Sequence, residues 1–178
     1  MIEKSRHDPE HFSQIFNRYF SQIHGYVASR LGSANADDIA AEAFLIGFTG
    51  RHRYDLSWPS ARPWLYGIAT NLIRQHRRSE IRRYRALARA SPGDDFDEWV
   101  EQATERLSAQ RMLPSLSAGL AQLSQADRDV LLLVAYEQLS YQEIALALRI
   151  PAGTVGSRLN RARRRLRQAL QHSEPAKR

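Results

Sequence analysis

Residues 140–170 read SYQEIALALRIPAGTVGSRLNRARRRLRQAL, a stretch that carries the start of one helix, a break and a second helix. Ser140 and Glu143 form an S-x-x-E capping box, in which the serine side chain accepts from the Glu143 amide and the glutamate accepts from the Ser140 amide. Tyr141, Ile144, Ala145 and Leu148 then recur at the spacing that lays apolar groups along one helical face. Pro151 has no amide to donate and biases Ile150 toward extended backbone, which predicts a break near Arg149, Ile150 and Pro151. Proline is also at home in the first turn of a following helix. The pattern is a helix-turn-helix.

In its second helix Val155, Leu159, Ala162, Leu166 and Leu170 form one apolar stripe. Ser157, Asn160, Arg161 and Arg164 lie roughly opposite, flanked by Arg158, Arg163, Arg165 and Arg167. The major groove of DNA, about 12 Å wide, admits such a helix, and arginine there makes bidentate contacts to guanine edges or phosphate. The first residues of a recognition helix meet the bases. Thr154, Ser157, Arg158 and Arg161 are therefore the candidate contacts, with the later Arg163 and Arg164 on phosphates. The plain alternative is a solvated basic helix in a bundle. Cap, break, small-residue start and arginine face agree on the DNA reading.

A length of 178 residues allows one domain or two small ones, and 43% hydrophobic with 25% charged residues is globular in composition. The net charge of +7 points to a polyanionic partner, nucleic acid first. The absence of cysteine excludes a disulfide framework, a thiolate metal site and a cysteine nucleophile. The six histidines show no paired ligand spacing, so neither a metal nor a cofactor is expected. No apolar run approaches the ~20 residues that span a bilayer, and MIEKSRHDPEHF lacks a signal-peptide core. A cytoplasmic protein without membrane insertion is the expectation.

Asp8, Pro9 and Glu10 have the form of a helix start: an N-cap, a proline and an acid in the first turn. Phe12, Ile15, Phe16, Tyr19, Ile23, Tyr26 and Val27 continue at helical spacing to Gly32, a C-terminal stop. The spacing favours burial over a base-stacking platform. A second helix is predicted from about Asn35 to Gly50, with Ile39, Ala43 and Ile46 inward and Asp37, Asp38 and Glu42 outward. Three carboxylates invite a cation. Their spacing does not by itself surround one, and acids near a helix N-terminus are favourable with no ligand at all. With Phe44 beside it, the acidic face suits a basic partner protein.

RHRYDLSWPS, residues 51–60, reads as a loop fit for unpaired nucleotides, with Arg51 and Arg53 for phosphates and Tyr54 or Trp58 for stacking. Aromatics that merely pin the loop to the core are the competing reading. ARPWLYGIATNLIRQHRR predicts a third helix with Leu65, Ile68, Ala69 and Leu72 inward and Arg74, Arg77 and Arg78 outward. Trp64, Asn71 and Gln75 share a border stripe, a flat ring and two amides of the kind that suits DNA, with helix capping or solvation at a domain edge as the competing reading. Residues 79–90 are strongly basic, and SPGDDFDEWVE at 91–101 turns acidic, a linker signature. Beyond it Leu113, Leu116, Leu120 and Leu123 form a helical stripe, and Ser124 to Asp127 opens a helix whose Val130 to Ala135 is apolar all round.

Two of these stretches resemble one family. LSQADRDVLLLVAYEQLSYQEIALALRIPAGTVGSRLNRARRRL is similar to the promoter-reading region four of bacterial sigma factors, and DDIAAEAFLIGF with PWLYGIATNLIRQHRR resembles region two. Their order and separation look like the extracytoplasmic-function group of the sigma-70 family. The resemblance implies an all-α fold of two helical domains joined by a charged linker. Region two falls in residues 1–78, the linker in 79–109, region four in 110–172 and a tail in 173–178. It implies that Asp38, Glu42 and Phe44 dock on the beta-prime clamp helices of core RNA polymerase, with Ala41 standing where the family often has glutamine. It places Trp64, Asn71, Arg74, Gln75 and Arg78 at the minus-ten element of promoter DNA, with the 51–60 loop helping to hold a flipped base. Thr154, Ser157, Arg158, Arg161, Arg163 and Arg164 fall at the minus-thirty-five element. The beta flap and an anti-sigma protein are further implied partners, and Asp94, Asp95, Asp97 and Glu98 would imitate nucleic acid inside the polymerase. Two other classes fit parts of the pattern: a free-standing dimeric helix-turn-helix regulator, and a magnesium-dependent DNA-processing enzyme built on Asp37, Asp38 and Glu42.

Overall fold

The computed structural model describes residues 1–90, 119–120, 122–135 and 137–171. Its α-helices are α1 (Ile2–His7), α2 (Phe12–Leu31), α3 (Ala36–Gly50), α4 (Arg62–Ala90), α5 (Gln125–Ala135), α6 (Tyr141–Leu148) and α7 (Ala152–Gln171). Residues 119–120 are also helical, short 3-10 turns occur at Pro9–His11, Ser33–Asn35 and Arg51–Arg53, and no strand occurs among the described residues. α1, α2, α3 and most of α4 belong to one compact unit; α5, the start of α6 and α7 belong to a second.

In the first unit the Asp8 carboxylate accepts from the Glu10 amide at 3.1 Å, so the predicted cap forms, although the first turn after it is 3-10. α1 has no periodic signature in MIEKSRH. It is held by buried Ile2 and Ser5, too few apolar positions to show a period. α2 buries Phe12, Ile15, Tyr19, Ile23, Tyr26 and Val27, and stops at Gly32, whose φ of 80° suits glycine and whose amide donates to the Ala28 carbonyl. Phe16 departs from the expected core and is 38% exposed. On α3 the row facing α2 is Ala36, Ile39, Ala40, Ala43, Phe44 and Gly47. That row turns Ile46 outward, contrary to the sequence expectation.

Gly47 lies where α3 packs tightly on side chains of α2 and α4. A Cβ there would stand 3.2 Å from Leu65 Cδ2 and 3.5 Å from Phe12 Cζ. Gly47→Val is expected to overpack this contact and cost about 1–3 kcal/mol, read as a lower denaturant midpoint. α4 buries Leu65, Tyr66, Ala69, Leu72 and Ile73, with Ile68 only half-buried. Tyr66 meets Tyr26 edge-on at 5.2 Å, and the Tyr26 hydroxyl hydrogen-bonds Thr70 Oγ1 at 2.9 Å. The helix continues past residue 78, where composition changes, to Ala90. Arg77, expected outward, is half-buried and donates to the Arg30 carbonyl at 2.7 Å, where it meets the negative end of α2.

In the second unit Ser124 Oγ accepts from the Asp127 amide at 3.2 Å, as a cap should. α5 buries Val130 and Leu133 but leaves Leu131, Leu132 and Val134 half-buried and Ala135 exposed, so it is not enclosed all round. The capping box of α6 forms in both directions: Ser140 N to Glu143 Oε2 at 2.8 Å and Glu143 N to Ser140 Oγ at 3.2 Å. Ile144 is fully buried, while Tyr141, expected on the apolar face, is 43% exposed beside Gly156 at the start of α7.

The turn between α6 and α7 rests on more than Pro151. The Ile150 amide donates to the Ala145 carbonyl at 3.0 Å and the Arg149 amide to Leu146 at 3.3 Å, the paired bonds of a Schellman motif, with Arg149 left-handed at φ 52°. An arginine pays a steric penalty there that glycine does not. Arg149→Gly is expected to stabilise the protein by up to about 1 kcal/mol, seen as a rise in melting temperature. Leu113, Leu116, the acidic residues of 91–101, the Leu170 side chain and the 173–178 tail lie outside the described residues.

Candidate nucleic-acid and partner interfaces

α7 separates its two faces as the sequence predicts. Val155, Leu159 and Ala162 are fully buried, whereas Ser157, Asn160, Arg161, Arg163, Arg164, Arg165 and Arg167 are exposed and Thr154 and Arg158 half-buried. The Thr154 and Val155 amides both donate to the Pro151 carbonyl, which starts the helix, and Ser157 Oγ donates back to the Thr154 carbonyl at 3.1 Å. Arg161 stands apart from the other candidates. Its Nη1 lies 3.1 Å from Oδ1 of Asp127 on α5, a carboxylate only 1% exposed. Nothing in the local pattern around Asp127, which has the form of a cap end, points to this partner.

On α4, Trp64, Asn71, Gln75 and Arg78 lie at helical spacings of seven, four and three, which puts them on one face. Asn71, Gln75 and Arg78 are exposed, Arg74 is half-buried, and Trp64 is half-buried against Tyr54 at 5.1 Å between ring centroids. The loop before this helix is held from inside. Tyr54 is buried and its hydroxyl donates to the Ser60 carbonyl at 2.7 Å, so it is not free to stack on a base. Burial, and then the neighbouring Asp55 and Tyr19, push that hydroxyl up to about 12, which keeps it a neutral donor. Arg51 likewise is committed to the protein: it donates to the Ser5 carbonyl at 2.9 Å and the Phe48 carbonyl at 2.6 Å and lies 4.0 Å over the Phe48 ring. Arg6 of α1 donates to the carbonyls of Arg51 and Tyr54, closing a clasp between α1 and the loop. His52 and Arg53 stay exposed, and half-buried Trp58 borders an open cleft of about 440 Å³ with Ile2, Ile15, Arg18, Tyr19 and Leu56.

The outer face of α3 carries Asp38, Ala41, Glu42, Leu45 and Thr49, all exposed at spacings of three and four. Phe44, expected beside the carboxylates, is instead 3% exposed and packs on Phe16 and Phe20 at 5.0 and 5.8 Å. The apolar part of this surface is Leu45, 61% exposed, with Ile46 at its edge. Leu45 was legible in principle, seven residues from Asp38 and three from Glu42. Asp37 turns aside to His24 Nε2 at 3.0 Å, and no three His, Cys, Asp or Glu side chains converge on a point among the described residues. No helix among them is long and apolar enough to cross a membrane.

A recognition helix on a capped helix-turn-helix, set after a helical unit with its own polar and aromatic face, defines a DNA-binding protein of two helical parts. Comparison with known proteins is more specific. Sigma-70 region 2 matches residues 15–83, and Sigma-70, region 4 matches residues 113–166. The chain is 32% identical to the RNA polymerase sigma factor HrpL of Pseudomonas syringae pv. syringae over 88% of its own length and 85% of that protein. It is 28% identical to the ECF RNA polymerase sigma factor SigW of Bacillus subtilis, covering 92% and 90%. The structure of CnrH in complex with the cytosolic domain of CnrY shares the fold, with a TM-score of 0.66 at 21% identity over 97% of this chain and 95% of that one. The chain belongs to the sigma-70 family of RNA polymerase sigma factors, in its extracytoplasmic-function group. It is a promoter-specificity subunit of RNA polymerase, in a family of non-catalytic initiation factors.

Proposed function

We propose that the three exposed faces divide the work of promoter opening. The outer face of α3 docks on core polymerase, with Asp38 and Glu42 meeting basic side chains of the clamp helices and Leu45 supplying the apolar contact in place of Phe44. The α4 face of Trp64, Asn71, Arg74, Gln75 and Arg78 takes the opened minus-ten strand. Thr154, Ser157, Arg158, Arg161, Arg163 and Arg164 hold the minus-thirty-five duplex. Residues 1–78 and 110–172 serve as the two working parts, joined by 79–109, although α4 itself runs on beyond residue 78. The chain contributes no catalytic residue and works in the cytoplasm, where an anti-sigma protein restrains it. The sigma factor CnrH, whose fold it shares, is itself seen with a bound partner, the cytosolic domain of CnrY.

The observation that carries this reading is the division of α7, whose buried stripe of Val155, Leu159 and Ala162 leaves Arg161, Arg163, Arg164, Arg165 and Arg167 exposed and Arg158 half-buried. Capturing an extruded base offsets the few kcal/mol of unstacking and so favours strand separation without ATP. Two modest DNA contacts on one polymerase act as a bivalent grip. The test is run-off transcription of fragmented source-genome DNA by core polymerase with and without the protein, with sequencing of the RNA ends. New discrete starts that share two upstream motifs are expected. An active core and a folded protein that together give no new starts would reject the reading.

A further inference from the structure

The recognition helix carries one arginine that is not free to move. Among the described residues Arg161 alone of the α7 arginines forms an ion pair, and its partner lies beneath the helix on α5. Asp127 is 1% exposed, and only its Oδ1 meets Arg161; Oδ2 is buried with no hydrogen-bond partner among the described residues. A carboxylate taken out of water needs a cation, so the acid grips the guanidinium as firmly as the guanidinium satisfies the acid. Arg161 nevertheless keeps 46% of its side chain exposed, and the contact with Asp127 uses one Nη1 donor of the five its planar fork carries.

We infer that Asp127 is a positioning residue that fixes Arg161 as a reader of base edges and not as a neutraliser of phosphate. This rests on the proposed placement of α7 on upstream DNA. A free arginine surrenders rotamer freedom when it meets DNA, whereas Arg161 has surrendered part of it on folding, and its fork keeps one orientation. The charge of Asp127 offsets that of Arg161, so the pair adds little to counterion release, which follows the number of phosphates neutralised. What remains is direction: a fork presented at fixed angle to a guanine edge or a comparable pair of acceptors. Arg163, Arg164, Arg165 and Arg167, exposed and without such a partner among the described residues, retain the opposite character, charge without fixed direction.

The experiment uses polymerase reconstituted with the full chain and a duplex carrying the upstream motif recovered by run-off sequencing, together with duplexes in which each base pair of that motif is changed. Affinities are measured across a salt series for wild type, Asp127→Asn, Arg161→Ala, the double variant and Arg161→Lys. Asp127→Asn is expected to lower discrimination at one or two base pairs on the order of tenfold and to steepen the salt slope by about one ion. In the Arg161→Ala background it is expected to change DNA affinity less than about twofold, because the group it positions is gone. Arg161→Lys keeps the charge but not the fork, and loses the same discrimination with an unchanged slope. Unaltered discrimination in Asp127→Asn, or an equal loss with and without Arg161, overturns the inference; so does full discrimination in Arg161→Lys. If Arg161→Ala itself binds the duplex like wild type, it is the placement of α7 on DNA that fails.

Discussion

Replacing Asp38 and Glu42 together by arginine is expected to abolish co-elution of the protein with core polymerase while leaving it folded. Both side chains are exposed on α3, so the exchange removes no buried contact. Asp38 lies in the first turn of the helix, where reversing an acid costs about 0.3–1 kcal/mol through the helix dipole, and Glu42 is beyond its reach. At the interface the arithmetic is different. Two attractive pairs become two like-charge juxtapositions, each costing several kcal/mol, enough for a loss of at least about 100-fold. Phe44→Ala makes an instructive contrast: that ring is 3% exposed among Phe16 and Phe20, and its removal costs about 3–5 kcal/mol of fold stability before any partner is involved. Leu45→Ala, on the exposed side, leaves the melting temperature near wild type and weakens docking. A folded double arginine variant that co-elutes normally, checked by circular dichroism and gel filtration, refutes the docking face.

The helix-turn-helix was legible because its signals are local. A capping box spans four residues, and the stripe of Val155, Leu159 and Ala162 repeats within one helix. The same holds for the all-helical fold. What failed was the assignment of partners between helices. On α3 the periodicity of an apolar helix admits two neighbouring stripes, and only the packing of α2 selects the one that contains Phe44 and excludes Ile46. In the loop, Arg51 and Tyr54 have the composition of a nucleotide site but are committed to Ser5, Phe48 and Ser60; the first contact requires α1 to pack on the loop, and the other two close only when the loop has taken its folded course. The Asp127 to Arg161 pair, 34 residues apart, has no periodic signature at all.

That pair also separates two arginine substitutions that look alike in sequence. Arg158→Ala and Arg161→Ala are each expected to weaken binding to the upstream duplex by about 1–3 kcal/mol if the side chain meets a base. Their effects on the fold differ. Arg158 has no carboxylate partner among the described residues, and its loss is expected to shift stability within about ±0.5 kcal/mol. Loss of Arg161 strands the buried Asp127 carboxylate. Breaking a fully buried pair costs about 3–5 kcal/mol, but Arg161 is 46% exposed and screened by water, so about 1–3 kcal/mol is the expected destabilisation. Adding Asp127→Leu to Arg161→Ala removes the stranded charge and places an apolar group in a buried site, which should return most of the lost stability and none of the lost DNA affinity. Thermal melts at neutral pH and footprints of the reconstituted polymerase read the two quantities independently. Equal melting temperatures for Arg158→Ala and Arg161→Ala would show that the contact with Asp127 contributes nothing to the fold, whereas recovery of stability without DNA affinity in the double variant assigns Arg161 both roles.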